Sequence, residues 1–145
     1  MRQKNTPSSQ TMTQSRNSVS DQELKRVIAD FLDQGHVENI VAMFRREPRY
    51  YAWTGDILRD QRFSVRLGIS VLFEELLGIQ PESLALAIPS LAELLTADEP
   101  LLRGEAISLL GIIGGETALA LVRRRQDDPD LRVREMVQLV LGEPA

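Results

Sequence analysis

Apolar residues recur along most of the chain at the three- and four-residue spacing of helices that are buried on one side. A capping box begins at Ser20, so the first helix is expected to start there, and Gly35 suits the left-handed turn that ends a helix. Its apolar stripe comprises Leu24, Val27, Ile28, Phe31 and Leu32. A second stripe before Pro48 comprises Val37, Ile40, Val41 and Phe44. We expect residues 20–47 to form an antiparallel helical hairpin that caps the fold.

Beyond this hairpin the pattern changes to three similar segments, each made of a helix, a short acidic turn and a second helix. Their bounds are about 48–78, 81–113 and 116–142. An aliphatic residue and an arginine follow each turn, as Val65-Arg66, Leu102-Arg103 and Val133-Arg134. These arginines lie about 37 and about 31 residues apart, close to the repeat length of helix-pair solenoids. The sequence therefore predicts an all-α solenoid of about three helix pairs.

Three stretches of this region resemble HEAT repeats of the phycobilisome-lyase-like subtype. They are Ala87 to Leu95, Leu109 to Gly114 and Asp127 to Glu135. The resemblance covers about residues 50–142 and is weaker in the first repeat, where Glu74 stands in place of the glycine found at Gly111 and Gly142. It implies a right-handed α-α superhelix, with the first helices on the convex side and the second helices on the concave, binding side. Pro89 resembles the family's recurrent kink in a first helix.

The resemblance also implies a structural ladder between repeats. In such a ladder, an acidic turn residue such as Asp98 or Asp128 caps its own second helix and meets an arginine of an adjacent repeat. The ladder residues are Asp60, Arg66, Asp98, Arg103, Asp128 and Arg134. Because this recurrence has an architectural cause, we interpret these charges as structural rather than catalytic.

Candidate partner-binding residues are the outward positions of the three second helices. They are Leu67, Ser70, Val71 and Glu74 on the first, Gly104, Glu105 and Ser108 on the second, and Glu135, Gln138 and Leu139 on the third. Val71, Ser108 and Leu139 are equivalent positions, which predicts a shallow stripe with apolar ends. Glu105 and Glu135 lie off the apolar stripes of their helices, so we expect both to reach solvent.

Residues with catalytic or metal-binding chemistry are few. Cysteine is absent, which excludes thiol nucleophiles and thiolate metal sites, and His36 is the single histidine, in a loop. Glu74 and Glu75 diverge by about 100 degrees around a helix, and the Gly114-Gly115 turn lacks the lysine of a phosphate loop. We therefore expect no catalytic residue, no cofactor and no metal.

Charge is distributed unevenly along the chain. Residues 1–20 carry +3, whereas the whole chain carries -4, which leaves -7 for the remainder. The acidic body disfavours nucleic-acid binding. Residues 1–19 are polar and poor in apolar anchors, so we expect them to be disordered. No membrane segment or secretory signal is recognisable, and we expect a cytoplasmic protein.

Aromatic residues gather near the end of the predicted hairpin, beside three arginines. They are Phe44, Tyr50, Tyr51 and Trp53, and the arginines are Arg45, Arg46 and Arg49. Two interpretations are open: these rings attach the cap to the first repeat, or they form a partner-binding patch. Arg123, Arg124 and Arg125 are expected to lie at a helix C-terminus, where positive charge complements the helix dipole.

These observations favour a non-catalytic scaffold or adaptor that binds another protein through its concave face. The alternative is an accessory or chaperone-like role of a bilin lyase subunit in tetrapyrrole-protein assembly, which the family resemblance alone suggests. Helical-repeat binding of nucleic acid is a third and less favoured class.

Overall fold

The computed structural model describes residues 20–142, and within this range the chain forms helices and no strand. The α-helices are α1 (20–33), α2 (Val37–Arg46), α3 (Thr54–Leu58), α4 (Phe63–Leu77), α5 (Ile88–Leu94), α6 (Pro100–Ile113), α7 (Gly115–Arg123) and α8 (Leu131–Leu141). The predicted all-α class is confirmed for this range. The expected tail, residues 1–19, lies outside the described residues. Residue 20, where the first helix is expected to start, is the first described residue and is helical.

The helices after α2 pack in two layers. α4 contacts α6 and α6 contacts α8, which forms one layer; on the other side α3 contacts α5. Each pair is closed by contacts of α3 with α4, α5 with α6 and α7 with α8. The aliphatic side chains between the layers form one continuous core. The consequence is that the outer sides of α4, α6 and α8 lie next to one another.

The first helices of two pairs differ from the continuous helices that the sequence predicts. Each begins as a 3₁₀ helix, Pro48–Trp53 or Pro81–Ala87, and then continues as α3 or α5. Pro89 lies in the first turn of α5, where its missing N–H costs no helical hydrogen bond. It therefore lies at the junction between the 3₁₀ and α segments of this first helix, where the resemblance implies a kink.

The N-terminal helices cover the start of the two layers. α1 buries Ile28 and Leu32, but Val27 is 41% exposed, so the buried stripe is narrower than predicted. Gly35 has a φ of 84°, which confirms the predicted left-handed turn after α1. A Cβ on Gly68 of α4 would lie 2.9 Å from the Cβ of Leu32, so α1 and α4 approach closely at this glycine.

Gly111 and Gly142, which the sequence aligns, serve different purposes. A Cβ on Gly111 would lie 2.8 Å from a methyl carbon of Val140, so this glycine lets α6 and α8 approach closely. Gly142 has a φ of 71° and ends α8 in the left-handed conformation.

Among the described helices, none combines the length and the hydropathy that a membrane-spanning helix needs.

Candidate functional site

The three repeated arginines make the same backbone contact. Each donates from Nη1 to the carbonyl oxygen of the residue six positions earlier in its own turn. The pairs are Arg66 with Asp60 at 3.0 Å, Arg103 with Ala97 at 2.8 Å and Arg134 with Asp128 at 2.7 Å. Each arginine thereby holds the turn that leads into its second helix.

Arg103 and Asp128 also form a buried ion pair between consecutive helix pairs. Arg103 donates to both carboxylate oxygens, at 2.8 Å from Nε and 3.0 Å from Nη2. Arg125 reaches the same carboxylate, which also accepts from the backbone amide of Asp130 at 2.9 Å. The hydrogen bonds from Arg103 hold the pKa of the Asp128 carboxyl well below its usual range, although burial opposes this effect.

The helix caps differ from those that the family resemblance implies. The side chain of Asp130, not of Asp128, caps α8 by accepting from the amides of Arg132 and Val133. In the described range, α6 follows Glu99 without a side-chain cap, and Asp98 contributes only its backbone carbonyl, which accepts from Arg103. The physical reason is spacing, since the cap residue lies immediately before the first helical residue.

Asp60 pairs within its own turn, which also departs from the implied ladder. Its carboxylate accepts from the backbone amide and the guanidinium of Arg62. These hydrogen bonds lower the pKa of the Asp60 carboxyl. Arg62 additionally forms ion pairs with Asp30 at 3.0 Å and Asp33 at 3.3 Å, so it links α1 to the turn before α4. The charges at this turn attach the N-terminal cap.

Arg66 lacks the carboxylate that Arg103 has. Asp128, which pairs with Arg103, lies six residues before Arg134. The equivalent residue in the turn that follows the Arg66 repeat is Ala97, six residues before Arg103, and it has no carboxylate. The Nε atom of Arg66 is buried and has no hydrogen-bond partner in the described part of the chain. Its nearest carboxylate oxygen is Oε2 of Glu105, 3.6 Å away.

The ten candidate partner-binding residues lie on the outer side of α4, α6 and α8, which we call the second-helix face. Five are exposed: Leu67, Val71, Glu74, Glu135 and Leu139. Five are half-buried: Ser70, Gly104, Glu105, Ser108 and Gln138. Glu105 therefore differs from the expectation that it reaches solvent, since its side chain is only 20% exposed and lies beside Arg66.

Sequence reasoning missed three exposed apolar residues next to this face. They are Phe63, Leu101 and Leu131, which are 64%, 52% and 58% exposed. All three lie in the first turn of a second helix, immediately after the acidic turns. Their position at helix starts, outside the buried stripe, is the signal that could have identified them.

An open groove lies between α6 and α8 on the second-helix face. Its volume is about 200 Å³. Residues that line it include Leu101, Gly104, Glu105 and Ser108 of α6 with Val133 and Met136 of α8. Three of the ten sequence-predicted residues therefore come together in this groove, while those on α4 lie outside it.

The side chains that sequence analysis considered for catalysis are exposed. His36 is exposed in the loop after α1, where its ring meets the edge of Phe31 with centroids 5.8 Å apart. Glu74 and Glu75 are both exposed on α4. Residues 20–142 contain no group of three or more histidine, cysteine, aspartate or glutamate side chains placed to hold a metal ion.

The aromatic cluster divides into a buried part and a surface part. Tyr51 is fully buried between Phe44 and Phe73, with ring centroids 5.0 and 6.1 Å apart, and its hydroxyl accepts from the Gln80 amide. Tyr50 and Trp53 are half-buried, and the Arg49 guanidinium lies 4.9 and 5.1 Å from their ring centroids. The buried rings thus join α2 to α4, which is the cap interpretation.

Comparison with known proteins gives one family and one relative. A family model described as HEAT repeats matches residues 55–142. Deoxyhypusine hydroxylase of Mus musculus is 43% identical over 60 residues, a stretch that covers 40% of this chain and 20% of that protein. The similarity therefore spans about a fifth of the relative's length. No solved structure matches significantly.

Proposed function

The chain belongs to the HEAT-repeat family, and from that premise we propose that it is a non-catalytic scaffold that binds another protein. The proposed binding surface is the second-helix face, as the concave side of a short right-handed superhelix of three helix pairs. The proposed site of action is the cytoplasm. Binding at this face requires no chemistry from the chain itself.

Exposed aliphatic side chains on the second-helix face carry this proposal. Leu67 and Val71 of α4 are 52% and 37% exposed, and Leu139 of α8, the position equivalent to Val71, is 74% exposed. Apolar side chains gathered on one face of a soluble fold are a common feature of protein-binding surfaces. The groove between α6 and α8 interrupts this surface and gives it shape, which supports binding of a protein ligand.

The alternative functions stay predictions. An accessory role in tetrapyrrole-protein assembly depends on the phycobilisome-lyase-like resemblance alone, and incubation with a bilin and an acceptor subunit tests it through the appearance of a covalent chromophore. Nucleic-acid binding depends on the basic residues of the tail and on the cluster of Arg45, Arg46 and Arg49, all of which are exposed. Salt-dependent retention on a polyanion column tests that class.

Affinity capture from the host, followed by mass spectrometry, tests the scaffold function. The test variant is Leu67→Ser with Leu139→Ser, since both side chains are exposed and their loss leaves the core intact. We expect this variant to lose the captured partner while its helical circular dichroism spectrum and melting temperature are retained. Glu105 is unsuitable for this purpose because a change there also affects Arg66.

The matched control is Arg123→Glu with Arg124→Glu, two exposed positions at the end of α7 in the other layer. We expect this control to capture the same partner as the unmodified chain. Loss of capture in the control and retention in the leucine variant would place binding on the opposite layer and contradict the proposal.

A further inference from the structure

The groove between α6 and α8 contains a glycine that packing does not require. Glycine inside a helix is less stable than alanine, so it usually has a structural reason. Gly68 and Gly111 have one, because a Cβ would lie 2.9 Å from Leu32 and 2.8 Å from Val140. At Gly104 a Cβ would have no atom within 4 Å other than those of its chain neighbours and its own helix backbone. Because Gly104 lines the groove, a side chain at this position would fill it.

The groove also contains the carboxylate of Glu105, whose negative charge is only partly balanced by Arg66. Burial raises the pKa of the Glu105 carboxyl, and the nearby Arg66 only partly opposes this shift. The Nε of Arg66 and Oε2 of Glu105 are 3.6 Å apart, which is too far for a hydrogen bond. Glu105 therefore has oxygen lone pairs available to a cation that approaches from the groove.

The charges around the groove favour a basic ligand. Arg132 on the opposite wall is already paired with Asp130, at 3.1 Å. Glu135, one turn further along α8, is exposed, and so is Glu74 on α4. Beyond the Arg66–Glu105 and Arg132–Asp130 pairs, these exposed carboxylates add negative charge to the second-helix face. The groove wall itself includes the apolar side chain of Leu101.

We propose that this groove accepts an aliphatic side chain of a partner protein, with an adjacent lysine or arginine of the same partner binding Glu105. The inference rests on the proposed scaffold function and narrows its partner to proteins that present such a pair of residues. A volume of about 200 Å³ is several times that of a water molecule, so an aliphatic side chain has room.

Titration of the full chain with a capped dipeptide, followed in ¹H–¹⁵N spectra, tests this inference. The probe is N-acetyl-leucyl-lysine amide. We expect saturable shifts confined to the backbone amides around Gly104, Ser108, Val133 and Met136. N-acetyl-leucyl-glutamate amide and N-acetyl-seryl-lysine amide should each bind at least about fivefold more weakly, because each lacks one of the two contacts.

Two variants and a control locate the binding. Gly104→Leu should abolish the shifts, since Gly104 lines the groove and a Cβ there meets no atom within 4 Å beyond its chain neighbours and its own helix backbone. Glu105→Gln should remove the preference for the lysine probe over the glutamate probe. Ala120→Leu, an exposed position on α7, should leave binding unchanged.

Several outcomes would overturn the inference. Equal binding of the lysine and glutamate probes, or shifts spread along the whole chain, would do so. If the groove amides shift with protein concentration without any probe, a second copy occupies the groove. If they shift when Arg2, Lys4 and Arg16 are changed to Gln, the N-terminal segment occupies it.

Failure of this inference is distinguishable from failure of the scaffold function. If the dipeptide does not bind but Leu67→Ser with Leu139→Ser still loses its partner, the groove inference is wrong and the scaffold function stands. If the dipeptide binds as expected, that variant keeps its partner and Arg123→Glu with Arg124→Glu loses it, the groove binds the probe but the scaffold proposal for this face is wrong.

Discussion

At the scale of single residues, Arg103 and Asp128 depend on each other because both are buried. Their exposed fractions are 7% and 2%, so removal of Arg103 leaves the buried Asp128 carboxylate with Arg125 as its remaining cationic partner, and removal of Asp128 leaves the buried Arg103 with backbone carbonyls alone. Arg103→Ala should lower the free energy of unfolding by about 2–4 kcal/mol in denaturant titrations. Arg124→Ala, at an exposed helix end, should change it by less than about 0.5 kcal/mol. Equal effects at the two positions would contradict a stabilising role of the Arg103–Asp128 ion pair.

The same ion pair makes stability depend on pH. Because the pKa of Asp128 is lowered in the folded state, its contribution is complete above the ordinary carboxyl pKa of about 3.9 and is lost as the pH falls below it. The denaturant midpoint should therefore decrease between about pH 5 and pH 2, with a shallower decrease in Asp128→Asn. Glu105 acts in the opposite direction, since its raised pKa lets the folded state bind a proton first. An unchanged slope in the variant would contradict the assignment.

Substitution of Ala97 should stabilise the fold, because Ala97 occupies the position opposite Arg66 where the ladder has no carboxylate. Ala97→Asp would place a carboxylate where Asp128 lies in the following turn, and Arg66 has an Nε atom that lacks a partner among the described residues. Completion of this pair should raise the free energy of unfolding by about 1 kcal/mol. The same substitution with Arg66→Gln should give no gain, and a gain that persists there would show another cause.

At the scale of helices, the two glycines of α6 have different roles: Gly111 allows close packing against α8, and Gly104 lines the groove. Gly111→Ala forces a methyl group against Val140 and should destabilise the fold by about 1–3 kcal/mol. Gly104→Ala meets no described atom within 4 Å and should stabilise it by about 0.5–1 kcal/mol through helix propensity. Thermal unfolding of both variants checks this. Destabilisation by Gly104→Ala would show that packing, and not the groove, requires the glycine.

The order and type of the helices could be predicted from the sequence, because apolar spacing and turn residues are local signals. The 3₁₀ starts of the first helices could not, since Pro48 and Pro81 are compatible with either helix type in a first turn. The half-buried position of Glu105 depends on Arg66 from another helix, a contact that spacing within α6 does not contain. The exposure of Phe63 likewise depends on how far its neighbours extend over the start of α4.

At the scale of the whole molecule, the layer of first helices and the layer of second helices have different roles. The first helices and the N-terminal cap bury the core, and Tyr51 between Phe44 and Phe73 ties the cap to α4. The second helices then lie side by side, as α4 with α6 and α6 with α8. Residues about one repeat apart in sequence can therefore contact one ligand, which is how a helix-pair array gains a continuous binding surface.

Hydrogen–deuterium exchange of the chain with and without its captured partner shows which helices the partner covers. We expect slower exchange on binding at the second-helix face, in α4, α6 and α8, with α3, α5 and α7 unchanged. Slower exchange confined to α3, α5 and α7 would contradict it and assign binding to the other layer.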